Sequence, residues 1–173
     1  MTIKNLVFAA ILILMSVAAQ AQKISKRMVA KNTETGMIYF MRPQEMPQHA
    51  KGQGIKGPML YDITILTDND TVAFMMTVCS KEPIIMEQAD FISGDGSRTS
   101  HKIQKIYLNA RKKYFVGRYR CQLTKAHLNS LYAADAPFIV DFGNNTQFAI
   151  KKGNWANEKR VYSMVYKLSE LNK

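Results

Sequence analysis

Residues 60–80 read LYDITILTDNDTVAFMMTVCS, which is two apolar runs joined by Asp68, Asn69 and Asp70. In both runs apolar side chains recur at every second position, as they do in half-buried β-strands. Asp and Asn favour turns because their side chains bond to nearby backbone N–H groups. The stretch therefore predicts a β-hairpin whose inward-facing side chains form the nucleus of the core. They are Tyr61, Ile63, Ile65, Val72, Phe74, Met76 and Val78.

Strand patterns continue on both sides of this hairpin. On the N-terminal side, residues 36–42 predict a first strand that Pro43 ends, and residues 43–58 predict a long loop. The loop contains the pattern G-x-G-x-x-G, but proline-flanked glycines that lead into a strand do not predict a dinucleotide site. The later segments with strand character are residues 84–92, both arms of a long hairpin over 102–123, residues 138–142 and residues 146–151.

Two helices complete the predicted fold. Thr124 is a candidate N-cap for a short helix that runs to Ala134 and is stopped before Pro137. Residues 155–171 fit both a helix and a strand, and their length and charge favour the helix. The sequence therefore predicts a mainly β protein, an antiparallel β-sandwich or curled sheet with one short helix and a C-terminal helix.

The first 21 residues have the features of a secretory signal peptide. Lys4 precedes an apolar run, and Ala19 and Ala21 form a small-x-small cleavage signal. The apolar run is short for a membrane span, and Gln22 rather than a cysteine for lipid attachment follows the cleavage point. We therefore predict a soluble exported protein, periplasmic or extracellular. The remaining chain divides into a flexible basic arm over residues 22–32 and a single β-rich domain over residues 33–173.

Positive charge dominates the chain and is concentrated in one segment. The 24 Lys and Arg residues outnumber the 13 Asp and Glu residues, and the formal net charge is +11. Residues 98–134 contain no acidic residue, and Tyr107, Tyr114 and Tyr119 are interleaved with their cations. This composition predicts a surface for an acidic protein, an anionic glycan or a lipid headgroup, although a solvated strand face or a lysine-protected sheet edge would have the same composition. The predicted ligand-binding residues are Lys102, Lys105, Arg111, Lys112, Lys113, Arg118, Arg120 and Lys125.

The chain has two cysteines, Cys79 and Cys121. In an exported protein they predict a disulfide that joins the two long hairpins, because each lies near the end of a predicted strand. Two buried free thiols are the alternative. A catalytic cysteine would need a histidine base, and His49, His101 and His127 are not in a recognisable nucleophile context.

The sequence lacks the common catalytic motifs. It has no G-x-S-x-G, no H-E-x-x-H, no paired-cysteine zinc pattern and no phosphate-binding loop. We therefore predict no catalytic residue, no metal site and no cofactor. The favoured function is non-catalytic binding through the basic hairpin, and export makes nucleic acid the least favoured partner. The alternatives are an inhibitor or assembly partner that acts by strand addition at a sheet edge, and a small hydrolase that uses Cys121 or Cys79 with a histidine.

The C-terminal third of the chain has a distinctive order of elements. A short helix led by Cys121 precedes a strand led by Pro137, a second strand and a closing amphipathic helix that ends in Leu168-x-x-Leu171. This order resembles the end of the invasion-associated locus B-like family of exported bacterial proteins, although the additional cysteines of that family are missing here. The resemblance implies a periplasmic β-sandwich-like domain without a known catalytic site.

Two short features are similar to those of exported proteins of the Bacteroidetes. They are the signal end Ala-Gln-Ala-Gln and the triplet Asp70-Thr71-Val72. In those proteins, Asp-Thr-aliphatic triplets can be O-glycosylated. This resemblance implies Thr71 as a possible O-glycosylation site.

Overall fold

The computed structural model describes residues 26–34, 36–50 and 54–172. The strands are β1 (Met28–Thr33), β2 (Gly36–Met46), β3 (Gln48–Ala50), β4 (Ile55–Leu66), β5 (Thr71–Ser80), β6 (Gln88–Ile92), β7 (Arg98–Arg111), β8 (Tyr114–Thr124), β9 (Ile139–Asp141) and β10 (Gln147–Ala149). The helices are α1 (Lys125–Ala133) and α2 (Lys152–Leu171).

The strands form one antiparallel sheet in the order β1-β2-β4-β5-β8-β7-β6-β9-β10-β3. Strand β7 connects the two parts of this sheet, since residues 98–102 pair with β6 and residues 103–111 pair with β8. The sheet curls over its core, because the ring of Phe74 on β5 packs 5.3 Å from that of Phe91 on β6, between centroids. The prediction of a mainly β, antiparallel fold with a C-terminal helix is confirmed.

The central hairpin has the predicted strands and the predicted buried face. Ile65 is opposite Val72, Ile63 is opposite Phe74, and all seven side chains of the predicted nucleus are at most 3% exposed. In the turn, the Asn69 side chain accepts a hydrogen bond from the Thr71 backbone N–H, as the Asp-Asn-Asp signal predicts. Burial of each large apolar side chain contributes about 1.5–3 kcal/mol, so this face is a major source of stability.

Both predicted helices are present. The Thr124 side chain accepts from the backbone N–H of His127 and caps α1, as predicted. Helix α2 buries Trp155, Val161 and Val165 on one face. Residues 155–171 are therefore helical, as their length and charge favoured, and do not form the alternative strand. The two helices meet through Tyr132 and Tyr162, whose stacked ring centroids are 4.0 Å apart.

The N-terminal part of the fold contains more strand than predicted. The flexible arm was predicted over residues 22–32, but residues 28–32 of it belong to β1, which pairs along its length with β2. Strand β2 passes through Pro43 rather than ending there, because the β2–β4 register shifts between Met41 and Gln44 and places the proline in an irregularity that requires no ladder N–H.

The predicted long loop over residues 43–58 is also wrong for most of its length. The end of β2, all of β3 and the start of β4 lie in it. Conversely, the strand predicted over residues 84–92 begins only at Gln88. Residues 1–25 lie outside the described residues, and with them the predicted signal peptide. Among the described helices, none has the length and apolar character of a membrane span.

The predicted disulfide is wrong, because both cysteines are free. In the β5–β8 pair Cys79 is opposite Val116, whereas Cys121 is opposite Phe74. The two cysteines are therefore five positions apart along the strands, about 17 Å, and they point to opposite faces of the sheet. A disulfide requires Cα atoms within about 7 Å, so no small adjustment could join them.

Candidate anion-binding face

The sheet has two faces, and strand register assigns each side chain to one of them. The inner face carries the core and contacts α2, where Glu158 accepts a hydrogen bond from the Tyr61 hydroxyl. We call the opposite side the outer face. On β5 it carries Met75 and Thr77, and on β8 the residues opposite them, Arg120 and Arg118. The outer face is open to solvent in places, since Leu60 is 39% exposed and Tyr107 is 37% exposed.

The eight predicted ligand-binding residues do not form one cluster. By register, four share the outer face: Lys102, Arg111, Arg118 and Arg120. Lys112 and Lys113 form the exposed turn between β7 and β8, next to this face. Lys105 is opposite Tyr119 and therefore projects to the other face. Lys125 is 2% exposed at the start of α1, with its Nζ 3.9 Å from Glu170 Oε1.

Arg118 is already paired within the fold. Its Nη2 donates to both carboxylate oxygens of Asp62, at 3.1 and 2.8 Å, and its Nη1 donates to the Thr77 hydroxyl at 2.9 Å. Asp62 is 1% exposed, and burial raises the pKa of its carboxyl group while the Arg118 guanidinium opposes that shift. The Arg118 charge is thus largely neutralised, and its role is structural.

Arg120, two positions along β8, lacks such a partner. It is half-buried between Met75 of β5 and Gln104 of β7. Its Nε atom is buried without a hydrogen-bond partner in the described structure, and no ion pair joins it to a carboxylate of the described residues. A buried donor without an acceptor costs about 1–3 kcal/mol. The outer face therefore has an unneutralised, partly desolvated guanidinium near its centre.

One further cation extends this basic surface. Lys56 of β4 is opposite Cys79, and its Nζ lies 5.9 Å from the centroid of the Tyr114 ring, a cation–π distance. The sequence placed Lys56 in a loop, and nothing in the local pattern indicates that it approaches β8. The pairing of β5 between β4 and β8 brings it there.

Acidic residues neutralise the basic segment at its N-terminal end. Arg98 donates to Asp90 at 3.0 Å and to Asp141 at 3.3 Å. The Ser100 hydroxyl also donates to Asp90 and is the main reason that the pKa of this carboxyl group is lowered. The net positive part of the segment is therefore centred on the β7–β8 turn.

The β7 edge next to this face is open. Within the described structure, residues 103–111 have β8 as their only strand partner. The register shifts between Lys105 and Tyr107, which leaves Ile106 as an extra residue that is 47% exposed. A bulge and a lysine are two features that protect sheet edges from pairing. A lysine-protected edge is one of the alternative interpretations of the basic segment given above.

Thr71 is partly exposed at the first position of β5, and its hydroxyl donates to the Asn69 side chain at 2.9 Å. Its O-glycosylation remains a prediction. Within the described residues no group of three or more His, Cys, Asp or Glu side chains is placed to hold a metal ion.

Comparisons of the chain with protein-family models, with curated proteins and with solved structures found no match. The resemblance to the invasion-associated locus B-like family therefore stays a prediction, and any function must be argued from the geometry.

Proposed function

We propose that this chain is a non-catalytic binding protein whose outer face engages an acidic protein partner. The observation that supports the proposal most strongly is the half-buried Arg120 guanidinium, which has no carboxylate partner among the described residues. A carboxylate from a partner would pair with the partly exposed guanidinium group of Arg120 and neutralise its charge. Arg111, Lys112 and Lys113 lie about 20 Å further along the hairpin by strand spacing, and they would increase the rate of association by attracting a negatively charged surface.

The composition of the face favours a protein over the other anions that the sequence allows. Protein interfaces are enriched in Arg, Tyr and Met at their centres. The outer face combines Arg120 with Met75 beside it and with exposed Tyr107 and Tyr114 along the same hairpin. A glycan or a lipid headgroup would use the cations but would leave the apolar side chains without a function. Export of the protein, indicated by the signal-like residues 1–21, is part of this proposal.

A binding experiment with defined anions tests the proposal. The probes are a labelled peptide of alternating Glu and Leu, heparin, and vesicles that contain phosphatidylglycerol. We expect the peptide to bind most tightly, and we expect Arg120→Gln to weaken its binding about tenfold, because a charge-assisted hydrogen bond contributes about 1.5–3 kcal/mol. Arg160→Gln is the matched control, since Arg160 is an exposed arginine on α2.

Three outcomes would count against the proposal. Peptide binding that is absent, or equally weakened by both substitutions, would leave Arg120 without a special role. Tighter binding to heparin would favour a glycan, and tighter binding to the vesicles would favour a lipid headgroup.

Strand addition is the second candidate, because residues 104–111 form an open edge, whereas the Ile103 backbone N–H donates to the Glu87 carbonyl oxygen. A peptide strand could pair there, despite the bulge at Ile106. Backbone hydrogen exchange distinguishes the two modes: strand addition would slow exchange along residues 104–111, whereas side-chain docking on the outer face would leave that edge unprotected. For the cysteine hydrolase alternative, burial disfavours Cys121, since it raises the pKa of that thiol to about 12, and it leaves the partly exposed Cys79 as the candidate nucleophile.

A further inference from the structure

Two histidines far apart in the sequence meet at the inner side of β7. His101 lies on β7 and His127 in the first turn of α1, and His101 Nε2 is 3.0 Å from His127 Nδ1. The ring planes differ by 24° and the centroids are 4.8 Å apart. The rings are stacked with an offset, so that these two nitrogens lie closer together than the ring centroids.

The surrounding fold holds both rings in place. Register places His101 opposite Ala89 of β6, and the His127 backbone N–H is bound by the Thr124 cap. The ring of Phe91 lies edge-on to both imidazoles, at 5.7 Å from His101 and 6.2 Å from His127. Both side chains remain partly exposed. The pair is therefore preorganised and accessible from solvent.

Two ring nitrogens 3.0 Å apart share one proton, so at least one of them presents a lone pair. Neutral imidazole nitrogen is the common histidine ligand for transition metals.

We infer that His101 and His127 form a two-imidazole site for a divalent late transition metal, with copper(II) or nickel(II) preferred. With metal–nitrogen bonds of about 2.0–2.1 Å, nitrogens 3.0 Å apart subtend about 91–97° at the metal. That angle fits adjacent positions of the square-planar or tetragonal geometry of copper(II) and nickel(II), whereas tetrahedral zinc requires about 109° and a wider separation.

Binding requires no net loss of protons. In the hydrogen bond between the rings one facing nitrogen carries a proton, so one ring changes tautomer when the metal binds. Both imidazoles then carry their proton on the nitrogen that faces away, His101 Nδ1 and His127 Nε2, and both facing nitrogens donate lone pairs to the metal. The hydrogen bond between the rings is replaced by two metal–nitrogen bonds. Water fills the remaining positions, since the described residues offer no third ligand of the usual types next to the pair.

Calorimetric titration of the untagged protein with copper(II), nickel(II) and zinc(II), combined with electron paramagnetic resonance of the copper form, tests the inference. We expect one copper ion per chain, nitrogen hyperfine structure from two imidazoles, and weaker binding of zinc. His101→Asn and His127→Asn should each weaken copper binding at least tenfold. His49→Asn is the control, because His49 is an exposed histidine on β3.

A second measurement does not depend on the folding of the variants. Bound copper should protect His101 and His127, but not His49, from modification by diethyl pyrocarbonate in the wild-type protein. The inference fails if copper binds with equal affinity after either substitution, if it protects all three histidines alike, or if no copper binds in a one-to-one ratio.

Discussion

Cys79 and Cys121 lie in different environments although both are free thiols. Cys121 is fully buried on the inner face, and burial raises the pKa of its thiol to about 12. Cys79 is partly exposed on the outer face. Because the thiolate is the reactive form and must be accessible, the two cysteines should differ strongly in reactivity.

We therefore predict that iodoacetamide labels Cys79 in the native protein and labels Cys121 only after denaturation. Peptide mass spectrometry of the native and the denatured protein measures both positions. Rapid labelling of Cys121 in the native state would contradict its burial, and resistance of both cysteines until reduction would restore the disulfide prediction.

The Asp62–Arg118 pair should contribute to stability, since one partner is almost fully buried. Arg118→Met removes the guanidinium and leaves a buried carboxylate, so we expect a loss of about 1–3 kcal/mol in the free energy of unfolding. The double variant Asp62→Asn, Arg118→Met should recover part of this loss. Urea unfolding of the single and double variants measures both effects.

The same variant has a predictable pH dependence. Burial raises the pKa of Asp62 in the folded protein, and removal of Arg118 should raise it further. A carboxyl group whose pKa is higher in the folded than in the unfolded protein stabilises the folded state at low pH. This contribution is lost as the pH rises through the pKa of the folded state. The stability deficit of Arg118→Met relative to wild type should therefore shrink as the pH falls. A deficit that is constant with pH would show that the loss comes from packing alone.

Among the secondary-structure elements, α2 is joined to the N-terminal segment by a charged contact. Glu158 of α2, which is 6% exposed, is paired with Arg27 immediately before β1 and accepts from the Tyr61 hydroxyl at 3.2 Å. Removal of one partner of a mostly buried pair leaves the other uncompensated. The start of the described chain is therefore part of the folded unit rather than a free arm.

We predict that Arg27→Gln lowers the free energy of unfolding by about 1–2 kcal/mol, allowing for the partial exposure of Arg27. Lys26→Gln is the matched control, because Lys26 is an exposed neighbour with the same charge. Thermal and urea unfolding of the two variants makes the comparison. Equal stabilities would support the flexible arm that the sequence predicted.

At the scale of the whole molecule, the uneven distribution of charge should determine how tightly an anionic partner binds and how strongly that binding depends on salt. Replacing Arg111, Lys112 and Lys113 together with glutamate changes the net charge by about −6 at an exposed turn. We expect cooperative unfolding to be retained, and we expect binding of the Glu-Leu peptide to weaken strongly and to lose most of its salt dependence.

The control for this variant places the same change elsewhere. Lys151 and Lys152 are exposed at the start of α2, and Lys167 is exposed one turn before its end. Their replacement with glutamate should affect binding far less. Equal losses in both triple variants would mean that net charge rather than the hairpin attracts the partner. Loss of cooperative unfolding in the hairpin variant would show that its charges are structural.

The parts of the fold that follow from local rules could be predicted. Alternation placed Phe74 and Met76 in the core, and the Thr124 cap marked the start of α1. The predictions failed where pairing with a distant strand overrides local preference. Residues 28–33 follow a polar and basic stretch but form β1 because β2 offers an edge, and Pro43 is tolerated because the β2–β4 register shifts around it.

For the candidate site, the sequence could predict the concentration of positive charge but not which side chains pair with one another. A segment without acidic residues indicated a basic hairpin, and the hairpin and its turn at Lys112 and Lys113 are present. The sequence could not indicate that Asp62 neutralises Arg118 while Arg120 is left without a carboxylate, since these residues meet only through the order β4-β5-β8.

The amino-acid order alone established the mainly β class, the two long hairpins, the core nucleus and the two helices, because alternation, turn residues and caps act within a few residues of the chain. Only the tertiary structure separated Cys79 from Cys121, brought Lys56 to Tyr114 and placed His101 against His127. Those relations depend on strand order and register, and a shift of one residue in register moves a side chain to the other face of the sheet.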